Sequence, residues 1–245
     1  MASPSIVFDH IAIALERIAE ASPVLVGALG GVLEGSRAAR DFSWACWRFA
    51  GGGRIEVLEP RGDVGFVHRF LTQRGPGIHH VTFKVPSLRD ACRRAESLGY
   101  DIVGLDESRP DWKEAFLHPK QALGIVVQLA EESRAGESPQ GATAPPGPGS
   151  PPPAVRILGL RLRARAPDRA RVQWAGVVQG EERTGEPENG ALVYRWPGSP
   201  MRIVVDIDPA ADEGPVAVEF TADRPVRWPA GSHPALHGIL AGRER

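Results

Sequence analysis

Phe8-Asp9-His10-Ile11-Ala12-Ile13-Ala14-Leu15 and Ile78-His79-His80-Val81-Thr82-Phe83-Lys84-Val85 superpose with His10 over His80. Both runs alternate aliphatic with other residues, the pattern of a half-buried strand. A helical pattern with a glycine stop follows each run, from Arg17 to Gly30 and from Leu88 to Gly99. In the latter, Leu88, Ala91, Cys92, Ala95 and Leu98 recur every three or four residues and predict one buried face. More strands close each unit, ending in Arg54-Ile55-Glu56-Val57-Leu58 and Gly124-Ile125-Val126-Val127-Gln128-Leu129. His10 to Glu56 spans 46 residues and His80 to Gln128 spans 48, so the same unit occurs twice. Each unit reads as βαβββ, which predicts an α+β fold. The paired modules would form a curved, cup-like mixed sheet with helices on its convex side.

The chain around this repeat has 245 residues, comfortable for two small domains. Seven of the fifteen residues from Pro139 to Pro153 are proline, a composition that excludes helix and sheet ladders and predicts an extended linker. The expected organisation is residues 1–131, a proline-rich linker at 132–154, and residues 155–245. The formal net charge is −1 and the scattered basic residues form no patch, which argues against a nucleic-acid partner. No run of 18 apolar residues and no signal-like start occurs, so neither a membrane span nor secretion is expected. The two cysteines, Cys46 and Cys92, form no CxxC pair, in keeping with a reduced, cytoplasmic chain.

Beyond the linker the template returns. Ile157–Leu162 aligns with the His10 strand, Met201–Val205 with the Glu56 strand and Pro215–Phe220 with the His80 strand. Gly159 to Val204 spans 45 residues, close to the intervals of the first piece. The positions equivalent to His10, Glu56 and His80 are then Gly159, Val204 and Ala217, none able to bind a metal. The second piece is expected to be a degenerate copy that packs on the first, covers its cup or takes the place of a dimer partner. A monomer and a homodimer are both open.

Residues two apart in a strand share a face. His10 therefore shares one with Ala12 and Ala14, His80 with Thr82 and Lys84, and Gln128 with Val126 and Ala130; Glu56 opposes Ile55 and Val57. Each strand has an aliphatic face and a face with one coordinating group, so His10, Glu56, His80 and Gln128 can converge on the concave side. Two imidazoles, a carboxylate and an amide oxygen suit a divalent cation such as Mn, Co, Ni, Fe or Zn rather than a thiolate site. His79 points to the aliphatic face and reads as structural. His68 falls in an expected surface helix from Phe66 to Arg74, Asp111-Trp112-Lys113 reads as a polar-aromatic loop, and His233 and His237 read as surface residues without a carboxylate partner in sequence.

The first 131 residues resemble the vicinal oxygen chelate superfamily, which includes glyoxalase I, methylmalonyl-CoA epimerase, extradiol dioxygenases and drug-sequestering resistance proteins. The likeness to the epimerases rests on Phe8–Ile13, Ile55-Glu56-Val57-Leu58-Glu59-Pro60, Phe70–Val81, Phe116-Leu117-His118-Pro119-Lys120 and Gly124–Leu129. It implies one metal ligand on each of four strands, at His10, Glu56, His80 and Gln128. It also implies a small-molecule substrate, an acyl-CoA or a hemithioacetal, and an isomerase or lyase chemistry of proton abstraction beside a metal-polarised carbonyl. Glu56 is the first candidate for the base, with a purely ligating role as the alternative. His118 and Lys120 are candidates for meeting an acyl-thioester or phosphate group, against the plainer role of a turn fixed by Pro119. Two departures stand out: the last ligand of the epimerases is usually glutamate where this chain has Gln128, and the strand before Glu56, Phe42–Phe49, offers no second acid or base. A non-catalytic binding protein and a dioxygenase are the alternative functions.

Overall fold

The computed structural model describes residues 5–133, 148–185, 188 and 190–243. The first repeat supplies β1 (Val7–Ala14), β2 (Val32–Ala38), β3 (Phe42–Arg48) and β4 (Arg54–Pro60). Helix α1 (Phe66–Arg74) leads to the second repeat, β5 (Gly77–Lys84), α2 (Leu88–Ser97), β6 (Ile102–Asp106), β7 (Trp112–Leu117) and β8 (Val126–Glu132). These strands build one open, mixed sheet in the order β2-β3-β4-β1-β5-β8-β7-β6. The order reads alike from both edges, as two copies of one βαβββ unit must. Register supports the equivalence: β1 runs parallel to β4 with Ala12 opposite Glu56, and β5 runs parallel to β8 with Thr82 opposite Gln128.

The second half repeats the plan. β9 (Arg156–Ala164), α3 (Pro167–Arg171), β10 (Glu181–Glu182), β11 (Leu192–Arg195) and β12 (Arg202–Ile207) form a third unit, followed by β13 (Gly214–Thr221), α4 (Pro234–Ile239) and β14 (Leu240–Gly242). The sheet order is β10-β11-β12-β9-β13-β14. β9 is parallel to β12 with Arg161 opposite Val204, which places Gly159 and Val204 where β1 and β4 place His10 and Glu56. Both sheets are open, and the fold is α+β. Among the described residues no helix is long and apolar enough to cross a membrane.

The expected first helix is shorter and less regular than its sequence suggests. Residues Ile18–Glu20 make one 3-10 turn and Pro23–Ala28 a π-helical turn. Pro23 has no N–H to continue a regular ladder through this stretch, and Gly30, at φ 70°, ends it. The third unit has the same device, with α3 running into a π turn at Val172–Val177. By contrast α2 is regular. Its Leu88, Ala91, Cys92 and Ala95 are buried, and Ser87 caps it by accepting from the Asp90 N–H.

The chain separates into two compact units, each drawing on both halves of the sequence. One comprises Met1–Asp9, His80–Gly136 and Gly159–Val216; the other comprises His10–His79, Glu137–Leu158 and Ala217–Arg245. The core of the first unit is aromatic. Phe8 stacks on Phe83 at 5.0 Å, Trp196 meets Phe83 at 4.8 Å, and Trp174 lies 6.1 Å from Phe83. The buried Trp196 indole donates to the Val178 carbonyl, so no polar hydrogen of that ring is lost to the core.

In the second unit α1 lies over the face that carries His10. Ala12 and Ala14 are buried against Val67 and Leu58, with Phe42, Trp44, Phe66, Phe70 and Leu71 packed around them. Helix α1 thus packs on this face as well, where the small Ala12 and Ala14 leave room for its large apolar side chains. The described end of the proline-rich stretch is tied into this unit. The Val155 N–H donates to Leu29 and its carbonyl accepts from Ala50, both at 2.9 Å. Residues 134–147, which hold the rest of the expected linker, lie outside the described residues.

Candidate metal centre

His10 and Glu56 come from neighbouring parallel strands, β1 and β4, and His10 is only 7% exposed. Their nearest atoms, His10 Nε2 and a Glu56 carboxylate oxygen, are 3.6 Å apart. That is too long for a hydrogen bond and suits two donors sharing a cation held about 2 Å from each. His80 completes a group of three whose ligand atoms all lie within 4.8 Å of one another. Two imidazoles and one carboxylate, largely shielded from water, are a donor set that fits a borderline divalent ion.

Gln128, the fourth expected position, is buried on β8 beside Thr82 of β5. Its amide is held at both ends: the Thr82 hydroxyl donates to its oxygen at 2.6 Å, and its nitrogen donates to Glu114 at 2.7 Å. The Trp112 indole donates to the same Glu114 oxygen, also at 2.7 Å. Glu114 was not among the residues singled out from sequence, and neither was its link to Trp112. The missed signal is the extent of β7. Trp112 and Lys113 begin this strand rather than forming a loop, so Trp112, Glu114 and Phe116 share a face while Ala115 and Leu117 are buried on the other.

The remaining expected residues separate from this group. His118 and Lys120 are exposed on the turn between β7 and β8, where the Lys120 N–H donates to the His118 ring and Gln121 and Ala122 bond back to the His118 carbonyl. His79 is buried beside the rings of Phe66 and Phe70, 5.3 and 4.8 Å away. Burial, aided by the positive charge of Arg74, pushes its pKa from 6.5 down to about 4, so the ring is neutral at physiological pH. Lys84 lies between Asp9 at 3.2 Å and Glu132 at 2.6 Å. Burial acts to lower its pKa, but these two carboxylates outweigh it and the ammonium titrates above its ordinary value.

A second group joins Glu16, Glu20 and His233. His233, which has no carboxylate partner near it in sequence, has its Nε2 at 3.3 Å from Glu16 and 3.8 Å from Glu20. The Ala235 N–H donates to its Nδ1, which leaves the proton of a neutral ring on Nε2, aimed at the carboxylates. This group lies apart from His10, Glu56 and His80, and its two carboxylates are partly exposed. His237 is exposed, as expected, and stacks on Trp228 at 5.1 Å.

In the third unit the equivalent positions hold no ligand. A Cβ on Gly159, which has φ 137°, would stand 1.9 Å from the Arg202 carbonyl oxygen. Around it Arg161 pairs with Glu188 at 3.0 Å and with Asp206 at 2.9 Å, and Arg202 also pairs with Glu188.

Residues 9–116 match the profile described as the Glyoxalase/Bleomycin resistance protein/Dioxygenase superfamily. This part of the chain is a vicinal oxygen chelate domain. The chain is 29% identical over 129 residues to the uncharacterized protein YqjC of Bacillus subtilis (strain 168), covering 50% of this chain and 90% of that protein. It is 31% identical over 85 residues to the mitochondrial methylmalonyl-CoA epimerase of Dictyostelium discoideum, covering 32% of this chain and 49% of the epimerase. A mutant 4-hydroxymandelate synthase from Streptomyces coelicolor superposes with a TM-score of 0.63 over 91% of this chain and 72% of its own, at 15% identity. That likeness shows fold alone, and it extends over both sheets. A second vicinal oxygen chelate-like module follows the first, with Gly159 and Val204 at the positions equivalent to His10 and Glu56.

Proposed function

We propose that the chain is a metal-dependent enzyme of the glyoxalase and epimerase type, with His10, Glu56, His80 and Gln128 as its ligand positions. The gathering of His10, Glu56 and His80 at equivalent places of a twofold repeat supports this reading above all else. A divalent cation bound there would polarise a substrate carbonyl and lower the cost of negative charge on its oxygen. Glu56 takes the proton from the carbon beside that carbonyl, and the C–H electron pair moves toward the carbonyl carbon. With a hemithioacetal, the same carboxylate delivers that proton to the neighbouring, former carbonyl carbon, which completes a 1,2-isomerisation with one base. The substrate class is a small acyl-CoA or hemithioacetal, and residues 1–131 carry the chemistry.

The test is metal content with and without chelator, followed by solvent deuterium exchange at the α-carbon of acyl-CoAs and of α-keto hemithioacetals. One Co(II) per chain, lost in His10→Ala, together with exchange lost in Glu56→Gln, is the expected result. No stoichiometric metal and no change in His10→Ala would overturn the proposal.

A further inference from the structure

Gln128 is an unequal ligand: its oxygen can bind a cation and its NH2 cannot. The two ends have nearly the same shape, so something must decide which one faces a cation. Resting on the metal-site reading above, we infer that Glu114 is a positioning residue that selects the ligand-competent face of Gln128.

The argument runs through three contacts. A carboxylate only accepts, so Glu114 takes the amide NH2 and rejects the amide oxygen by lone-pair repulsion. The Thr82 hydroxyl cannot make that choice, because it could equally accept from a flipped NH2. Here it donates to the amide oxygen, which leaves that oxygen its second lone pair. Trp112 fixes the selector: its indole N–H, a donor with no alternative role, holds the same Glu114 oxygen. Strand register makes the reach possible. Phe116 stands directly opposite Gln128 and Glu114 opposite Ala130, so Glu114 is a diagonal neighbour on the same face.

Outer partners of this kind typically tune metal affinity by about 10–100-fold. The experiment is titration of the metal-free full chain with Co(II), followed by calorimetry and by the visible spectrum of the ion. Glu114→Leu removes the selector and is expected to weaken Co(II) binding by about 10–100-fold. Glu114→Gln, whose amide oxygen can still take both donors, is expected to stay within about threefold of wild type. The double variant Gln128→Glu/Glu114→Leu is decisive, because a carboxylate has no wrong end. It is expected to bind at least as well as wild type, a recovery that a merely structural role for Glu114 would not produce. Retained affinity in Glu114→Leu, lost affinity in Glu114→Gln, or no recovery in the double variant would overturn the inference and leave the metal site standing. Absence of Co(II) binding in wild type would instead remove the site and the inference with it. Melting temperatures of the metal-free variants show whether each is folded, and the double variant and Glu114→Gln carry the test if Glu114→Leu is not.

Discussion

Acidification should destabilise this protein through His79, by an amount that follows from its surroundings. The ring titrates near 4 in the folded chain because it is buried against Phe66 and Phe70, whereas in the unfolded chain it titrates near 6.5. The unfolded state therefore binds more protons between these values. The stability due to this group is fully present above pH 6.5 and is lost as pH falls toward 4. With about 1.36 kcal/mol per tenfold change, the loss is about 2 kcal/mol between pH 7 and pH 5 and about 3 kcal/mol by pH 4. His79→Phe keeps a flat ring among the two phenylalanines and cannot ionise. The assay is urea denaturation of both proteins at several pH values, with chelator present so that metal release adds nothing. The difference in stability between the two should shift by about 2 kcal/mol in favour of the variant from pH 7 to pH 5. A difference that is flat across that range would show that His79 titrates normally in the folded chain and that the burial argument is wrong.

Glu188→Ala removes the buried carboxylate shared by the largely buried Arg161 and Arg202, while Arg161 keeps its pair with Asp206. Denaturation at neutral pH should show a loss of about 3–5 kcal/mol, and a loss under 1 kcal/mol would mean that the bridge contributes little. Gly30→Ala places a Cβ 2.2 Å from the Pro152 carbonyl at a position of φ 70°. It should cost at least about 2 kcal/mol in a thermal melt and hasten protease cleavage near residues 148–155; an unchanged melt would show that this tail yields freely.

The two βαβββ units were legible in the sequence because the repeat marks them: two strands of like pattern, each followed by a helix and a glycine stop. The same periodicity made Gly159 and Val204 recognisable as the empty counterparts of His10 and Glu56, and the register of β9 on β12 gives that alignment. Three kinds of information were not legible. Alternation predicts which face a side chain takes but not what comes to cover it, so α1 lying over Ala12 and Ala14 and the ring contacts of His79 emerge only in three dimensions. Long-range polar partners are equally silent in sequence. Glu114 lies 14 residues from Gln128 and His233 more than 200 from Glu16, and no periodicity links either pair. The irregular π turns escaped for a simpler reason, since apolar spacing over so few residues does not distinguish a π turn from an α-helix.

The close approach at Gly159 bears on whether a ligand set like that of His10, Glu56 and His80 could be built into the later module. Grafting a ligand set onto the later module by point substitution fails at its first position, since the Arg202 backbone occupies the space that even a methyl group would need. The obstacle is one of chain path rather than of side-chain identity. β9 and β12 would have to part or slip in register before Gly159→His could be accommodated, and slippage by one residue turns every side chain of a strand to the opposite face. Gly159 thus bars a side-chain ligand at this position for as long as β9 keeps its present path beside β12.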